Sequence, residues 1–200
     1  MHAGTLLDIA MNHMDPLIEK ARKGDHDATN RLVQLWYKRI YNYVFKYLGD
    51  HDMAMDVSQK TFIKLHTHIR QLKDPGSFKS WLYRIATNYC HDEQRRAGKK
   101  WVVSVSDGHG EMEKSEYDPD RQYQRGELTE LLGSALSELS HDQREVVIMR
   151  EYEGLKFREI AEVLNLSENT VKSRLYYGLG TLKKILNKKN ITKETVYYEL

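Results

Sequence analysis

Residues 168–177, "ENTVKSRLYY", hold side chains suited to reading a nucleic acid. Asn169, Thr170, Lys172, Ser173, Tyr176 and Tyr177 take outward positions on a helix whose Val171 and Leu175, four apart, turn inward. Arg174 joins them as a candidate contact. Short polar or basic groups near a helix N-terminus read base edges in a major groove. Lys172 can donate to guanine, Ser173 to several bases and Thr170 to phosphate. A second constellation is "SFKSWLYRIATNYCHDEQRR", residues 77–96, which interleaves Trp81, Tyr83, Arg84, Asn88, His91, Arg95 and Arg96. Aromatic faces stack on unpaired bases at about 1–3 kcal/mol per base, while cations hold the phosphates. Asn88 can hydrogen-bond a flipped base edge, and residues 72–80 could wall its pocket. Trp81 shares a face with Phe78, Ile85 and Tyr89, which suits core packing as well as it suits a stacking platform.

The elements that must position these groups read as helices. Leu32, Val33, Leu35, Trp36, Ile40, Tyr43, Val44, Tyr47 and Leu48 recur at spacings of three and four. "GDHD" at 49–52 ends that helix, and Met53, Val57, Phe62, Leu65 and Ile69 predict a second over about 52–71. "KDPGS" at 73–77 is a turn, and a third helix follows over about 78–96. Residues 97–125 lose the periodicity and read as a polar linker. Helix resumes near 126. "SHDQ" at 140–143 is a capping box, and Gly154 ends the helix that follows. In "GLKFREIAEVLNLSENTVKSRL" (154–175), Ile160, Ala161 and Leu164 face inward, Asn165 tolerates a left-handed turn, Leu166 plugs the core and Ser167 can cap the next helix. That agreement of apolar, small, turn and capping residues is a helix-turn-helix pattern. The expected fold is all-α: two helical domains joined by a polar linker, the C-terminal one a helix-turn-helix domain. The boundaries are 1–14 for an N-terminal extension, 15–97, 98–125 for the linker, 126–187, and 188–200 for a tail.

Charge is distributed to match. The chain's net charge is only +2 over 200 residues. Yet residues 78–100 carry six basic against two acidic side chains, and residues 168–190 carry six against one. Between them, residues 103–130 hold eight acids and three bases. Two basic blocks flanking an acidic segment point to two polyanion contacts. Enzymatic chemistry finds no support: there is no phosphate loop, nucleophile elbow or metal-ligand set. His51, His66 and His68 lack companions at zinc spacing, so neither metal nor cofactor is expected. The single cysteine, Cys90, reads as a small buried apolar residue in a reducing cytoplasm. No apolar run is long enough to span a membrane.

The C-terminal segment "EYEGLKFREIAEVLNLSENTVKSRLYYGLGTLKK" resembles region 4 of bacterial sigma factors, especially the small extracytoplasmic-function (ECF) group of the sigma-70 family. "DMAMDVSQKTFIKLH" (52–66) resembles the region 2.2 helix, and "SFKSWLYRIATNYCHDEQRR" resembles the segment that melts and reads the −10 element. Two motifs in that order cover residues 15–187. The resemblance implies a transcription initiation factor, with Asn169 to Tyr177 on the −35 element and Trp81 to Arg96 on the −10 element. It assigns Asp56, Gln59, Lys60 and Lys64 to docking on core RNA polymerase. The implied partners are core polymerase, through the β′ clamp helices and the β flap, promoter DNA in duplex and single-stranded form, and an anti-sigma factor. The acidic linker would thread polymerase channels that carry nucleic acid. The alternative reading is an ordinary helix-turn-helix regulator of duplex operators, in which the basic-aromatic third helix has no task. Three features depart from the family pattern: Met55 and Lys60 stand where acids are common, and the other two lie on the recognition helix. Tyr176 and Tyr177 stand where basic residues are common, and Gly178 and Gly180 each cost the helix about 1 kcal/mol relative to alanine.

Overall fold

A computed structural model describes residues 14–97 and 131–189. The linker expected over 98–125, the start of the helix expected near 126 and the ends of the chain lie outside the described residues. Every regular element among those described is helical.

The N-terminal half has four helices: α1 (Asp15–Arg22), α2 (His26–Leu48), α3 (His51–His68) and α4 (Phe78–Ala97). Local chemistry sets their ends. Asp25 caps α2 by accepting from the Ala28 N–H at 3.0 Å. Gly49, at φ 71°, closes α2 in the left-handed region, and Asp50 caps α3 through the Met53 N–H at 2.8 Å. In the "KDPGS" turn, the Asp74 side chain accepts from the Gly76 N–H, and the Ser77 hydroxyl donates to the Asp74 carbonyl at 2.7 Å. That turn launches α4.

The core of this half is aromatic. Trp36 meets Phe78 and Tyr83 edge-on, with centroids 5.6 and 6.3 Å apart, and Tyr43 meets Tyr83 at 5.2 Å. The Tyr43 and Thr87 hydroxyls share a hydrogen bond at 2.8 Å in the buried interior. Burial pushes the Tyr43 phenol and the Cys90 thiol well above their usual pKa, so Cys90 is an inert packing residue, as its composition implied.

In the C-terminal half, residues 131–137 are helical. α5 (His141–Val147) widens into a π-helical turn over Ile148–Tyr152. Gly154, at φ 63°, then turns the chain into α6 (Phe157–Leu164) and α7 (Glu168–Lys188). The Arg150 guanidinium braces that turn by donating to the Leu155 carbonyl at 2.8 Å and lies 4.7 Å over the Phe157 ring. Asn165 adopts φ 54°, and Ser167 caps α7 through the Thr170 N–H at 3.1 Å. Ile160, Val171 and Leu175 fill the space between α6 and α7. The helix-turn-helix is therefore built as its sequence pattern predicts.

Gly178 has a purpose that helix propensity hides. It is buried where α7 crosses α5, and a Cβ there would lie 3.0 Å from Val147 Cγ2 and 3.3 Å from Gln143 Cβ. Gly180, two residues on, has open space. Their alanine variants should therefore act oppositely. We expect Gly180→Ala to stabilise by up to about 1 kcal/mol through propensity. Gly178→Ala should destabilise by about 1 kcal/mol, because overpacking against the stiff Val147 outweighs the same gain. Urea denaturation of the two variants checks this.

The halves pack on each other. α4 lies against α6 and against the end of the π-helical turn. The Tyr83 hydroxyl donates to Glu153 at 2.6 Å, Ser80 to Glu162 at 3.1 Å, and Arg84 to the Glu162 carbonyl. Lys79 lies 3.7 Å from Glu159. Deeper in, Glu145 of α5 meets His91 at 3.0 Å and the Tyr47 hydroxyl at 3.4 Å. No helix among the described residues is long and apolar enough to cross a membrane.

Candidate nucleic-acid interface

Two faces carry the groups that could hold nucleic acid. The first is the start of α7. Asn169 and Ser173 are exposed one turn apart, and Tyr176 and Tyr177 are 69% and 71% exposed. Thr170 and Lys172 are half-buried. Thr170 is engaged by the Ser167 cap, and the Lys172 ammonium sits 5.6 Å over the Phe157 ring. Arg174 departs from expectation. Its guanidinium reaches inward to Asp142 at 2.6 Å and to Glu145 at 3.4 Å, so it braces α7 on α5 instead of pointing at a groove. The open stripe is therefore Asn169, Ser173, Tyr176 and Tyr177, continued by exposed Lys183, Lys184 and Lys188.

The second face belongs to α4, and the structure divides the expected set. Asn88, Arg95 and Arg96 are exposed, and Asn88, His91 and Arg95 line one cleft with Asp92, Gln94 and His141. Arg95 pairs with Asp92, and Arg96 lies 3.2 Å from Glu93, both one turn back on the same helix. Such exposed pairs contribute little, so these cations can exchange partners readily. Trp81 is half-buried with its ring 6.3 Å from Phe78, packed against the core. Tyr83 is the clear correction. It is wholly buried between Trp36, Tyr43 and Glu153, and its phenol is pushed well above its usual pKa by burial and by Glu153. Arg84 and His91 are spent on Glu162 and Glu145 of the other half.

A third face lies on α3. Asp56 and Gln59 are exposed. Lys60 bridges Asp56 at 2.5 Å and Glu93 at 2.9 Å, which raises its pKa, and Lys64 lies 2.9 Å from His68. Beside them runs a shallow groove lined by Val33, Tyr37, Met55, Phe62 and Ile63. Met55 and Ile63 are each more than half exposed. Sequence reasoning picked the polar members and missed these apolar ones. Their signal was available: Met55 and Ile63 fall eight apart, off the inward stripe of α3.

Two family models match. Residues 32–100 match "Sigma-70 region 2" and residues 129–182 match "Sigma-70, region 4". The RNA polymerase sigma factor YlaC of Bacillus subtilis is 31% identical over 163 residues, 81% of this chain and 94% of that protein. This chain is a sigma-70 family sigma factor of the ECF group. The ECF RNA polymerase sigma factor SigE of Mycolicibacterium smegmatis is 30% identical over 159 residues, 80% of this chain; the match spans 62% of that longer protein. The fold agrees with a solved complex of the sigma factor RpoE with the anti-sigma factor NepR from Bartonella quintana. There the TM-score is 0.62 at 21% identity, covering 79% of this chain and 96% of that one.

A sigma factor directs RNA polymerase to promoters. In this one, the third helix of the region 2 domain faces two ways. Its outer edge is open, and its inner edge is tied to region 4. Tyr83→Phe should report that tie. Removing the hydroxyl leaves the Glu153 carboxylate, 5% exposed, short of a donor, at a cost of about 1–3 kcal/mol. A thermal or urea melt of the full chain should show this loss.

Proposed function

We propose that this sigma factor binds core RNA polymerase, grips the −35 duplex with α7 and reads a melted −10 strand with α4. The observation that carries the reading is the open edge of α4. Asn88 stands exposed in a cleft beside Arg95, with Arg96 exposed next to it on the same helix. A duplex-only regulator has no use for an amide and cations set in a cleft, whereas a flipped base and its phosphate need both. Asn169, Ser173, Tyr176 and Tyr177 supply the second grip, with tyrosine rings in place of basic contacts. Asp56, Gln59, Lys60 and Lys64 rim the Met55–Ile63 groove as the polymerase docking face. The β′ clamp helices are its partner there, and the β flap is the partner of region 4. The protein acts in the cytoplasm.

The packing of region 2 on region 4 represents the resting arrangement. Arg84 and Lys79 cannot serve DNA while they serve Glu162 and Glu159. Engagement of polymerase separates the halves and frees the inner edge of α4. An anti-sigma factor that holds the halves together would keep the factor silent. The RpoE–NepR complex, a sigma factor of this fold bound to an anti-sigma factor, supports an anti-sigma partner.

The function is tested by in vitro transcription with purified core polymerase on a library of upstream DNA. We expect co-purification with core and initiation at discrete promoters; a protein that does neither is not an initiation factor. Asn88→Ala sharpens the test. It should cut open-complex formation on duplex promoters at least ~10-fold, about 1.4 kcal/mol, and leave −35 duplex binding intact. Equal loss of both would mean damaged folding.

A further inference from the structure

The packing of the two halves brings together three groups that lie far apart in sequence. His91 comes from α4 of region 2, and His141 and Glu145 come from α5 of region 4. His141 and Glu145 are four apart, so they share one face of α5. One nitrogen of each imidazole and a Glu145 carboxylate oxygen all lie within 4.8 Å of one another. We propose that His91, His141 and Glu145 bind a divalent transition metal of the zinc class, which ties region 2 to region 4.

Ligand chemistry favours such an ion. Two imidazoles and a carboxylate are a nitrogen-rich set suited to zinc, cobalt or nickel, and unsuited to calcium or magnesium. The two oxygens of Glu145 have separate tasks. Oε1 accepts from Arg174 at 3.4 Å, and Oε2 faces His91 at 3.0 Å. Arg174 therefore fixes the carboxylate from behind, as the orienting partner of a metal ligand does. It is fixed in turn by Asp142 at 2.6 Å. The Tyr47 hydroxyl, bonded to His141 and 3.4 Å from Glu145, supplies a second support. Ligand nitrogens and oxygens stand about 2.0–2.1 Å from zinc. His91 and His141 are half-buried, so side-chain rotation can bring their nitrogens to that distance. His91 and His141 also line the cleft with Asn88, Asp92 and Arg95, which leaves a fourth ligand position accessible to solvent. Imidazole binds a metal only when unprotonated, so binding weakens at low pH.

The tie has a consequence that rests on the promoter reading above. An ion held by both halves favours the closed arrangement, in which Tyr83 and Arg84 are bonded to region 4. Metal binding itself does not depend on that reading, so the two can fail separately.

The experiment uses the full chain without an affinity tag, stripped of metal and titrated with cobalt(II) alone. We expect one equivalent to give the strong visible absorption of a four-coordinate ion and to be displaced by zinc. His91→Asn and His141→Asn, one in each half, should each weaken binding by more than the ~10–100-fold that loss of an orienting partner costs. Both positions are half-exposed, and circular dichroism confirms that the variants fold. His66→Asn removes half of the only stacked histidine pair on α2 and α3, His26–His66, and should change nothing. Three results would overturn the proposal: no cobalt spectrum, a spectrum unchanged in His91→Asn or His141→Asn, or loss in His66→Asn instead.

Discussion

The constraint on which the arrangement depends is the burial of carboxylates. Glu145 and Glu153, both in region 4, are 3% and 5% exposed. A buried carboxylate is tolerated only when donors or cations surround it. Region 4 alone supplies Arg174 to Glu145. The other partners named here come from region 2: Tyr47 and His91 to Glu145, and Tyr83 to Glu153. Removing one partner of such a group typically costs about 3–5 kcal/mol for a charged pair. The two halves therefore hold each other through needs that neither meets alone. The surface contacts of Ser80, Lys79 and Arg84 with α6 surround these interior ones.

That constraint organises the functional faces. α4 is one helix with two duties. Its inner edge satisfies region 4, and its outer edge, with Asn88, Arg95 and Arg96, stays open. α7 divides the same way: Arg174 turns inward to complete the Glu145 site, and Asn169, Ser173, Tyr176 and Tyr177 remain outside. Side chains suited to DNA by type are thus sorted by the packing of the closed state. The docking face on α3 lies apart from this interface. Its apolar Met55 and Ile63 remain exposed in the closed arrangement, so the docking proposed for this face does not require the halves to part first.

The helices and their ends were legible because they are local. Ser140 and Ser167 act as caps, Asn165 takes the left-handed turn, and Gly154 ends its helix, all from chemistry spanning four residues. The helix-turn-helix was legible for the same reason. What a one-dimensional pattern lacks is the identity of the neighbour across an interface. Tyr83 looks amphipathic on a basic-aromatic helix, and only the position of Glu153, seventy residues on, makes it a core donor. Arg174 looks like a base-reading cation until Asp142 and Glu145 are placed beneath it. Gly178 looks like a weak point until Val147 is set 3.0 Å from its missing methyl. No zinc spacing could be read because His91 and His141 are joined by packing across two domains. One ion pair of the interface, Lys79 with Glu159, joins residues eighty apart.

In the proposed cycle the halves rest closed and part on polymerase. The most direct measurement is the distance between spin labels at Asn30 on α2 and Lys184 on α7, both exposed positions. It should be taken on the free full chain and again after addition of core RNA polymerase. A closed resting state predicts one short, narrow distance distribution in the free protein and a longer one in the complex. An unchanged distribution on binding core, with transcription intact, would contradict it.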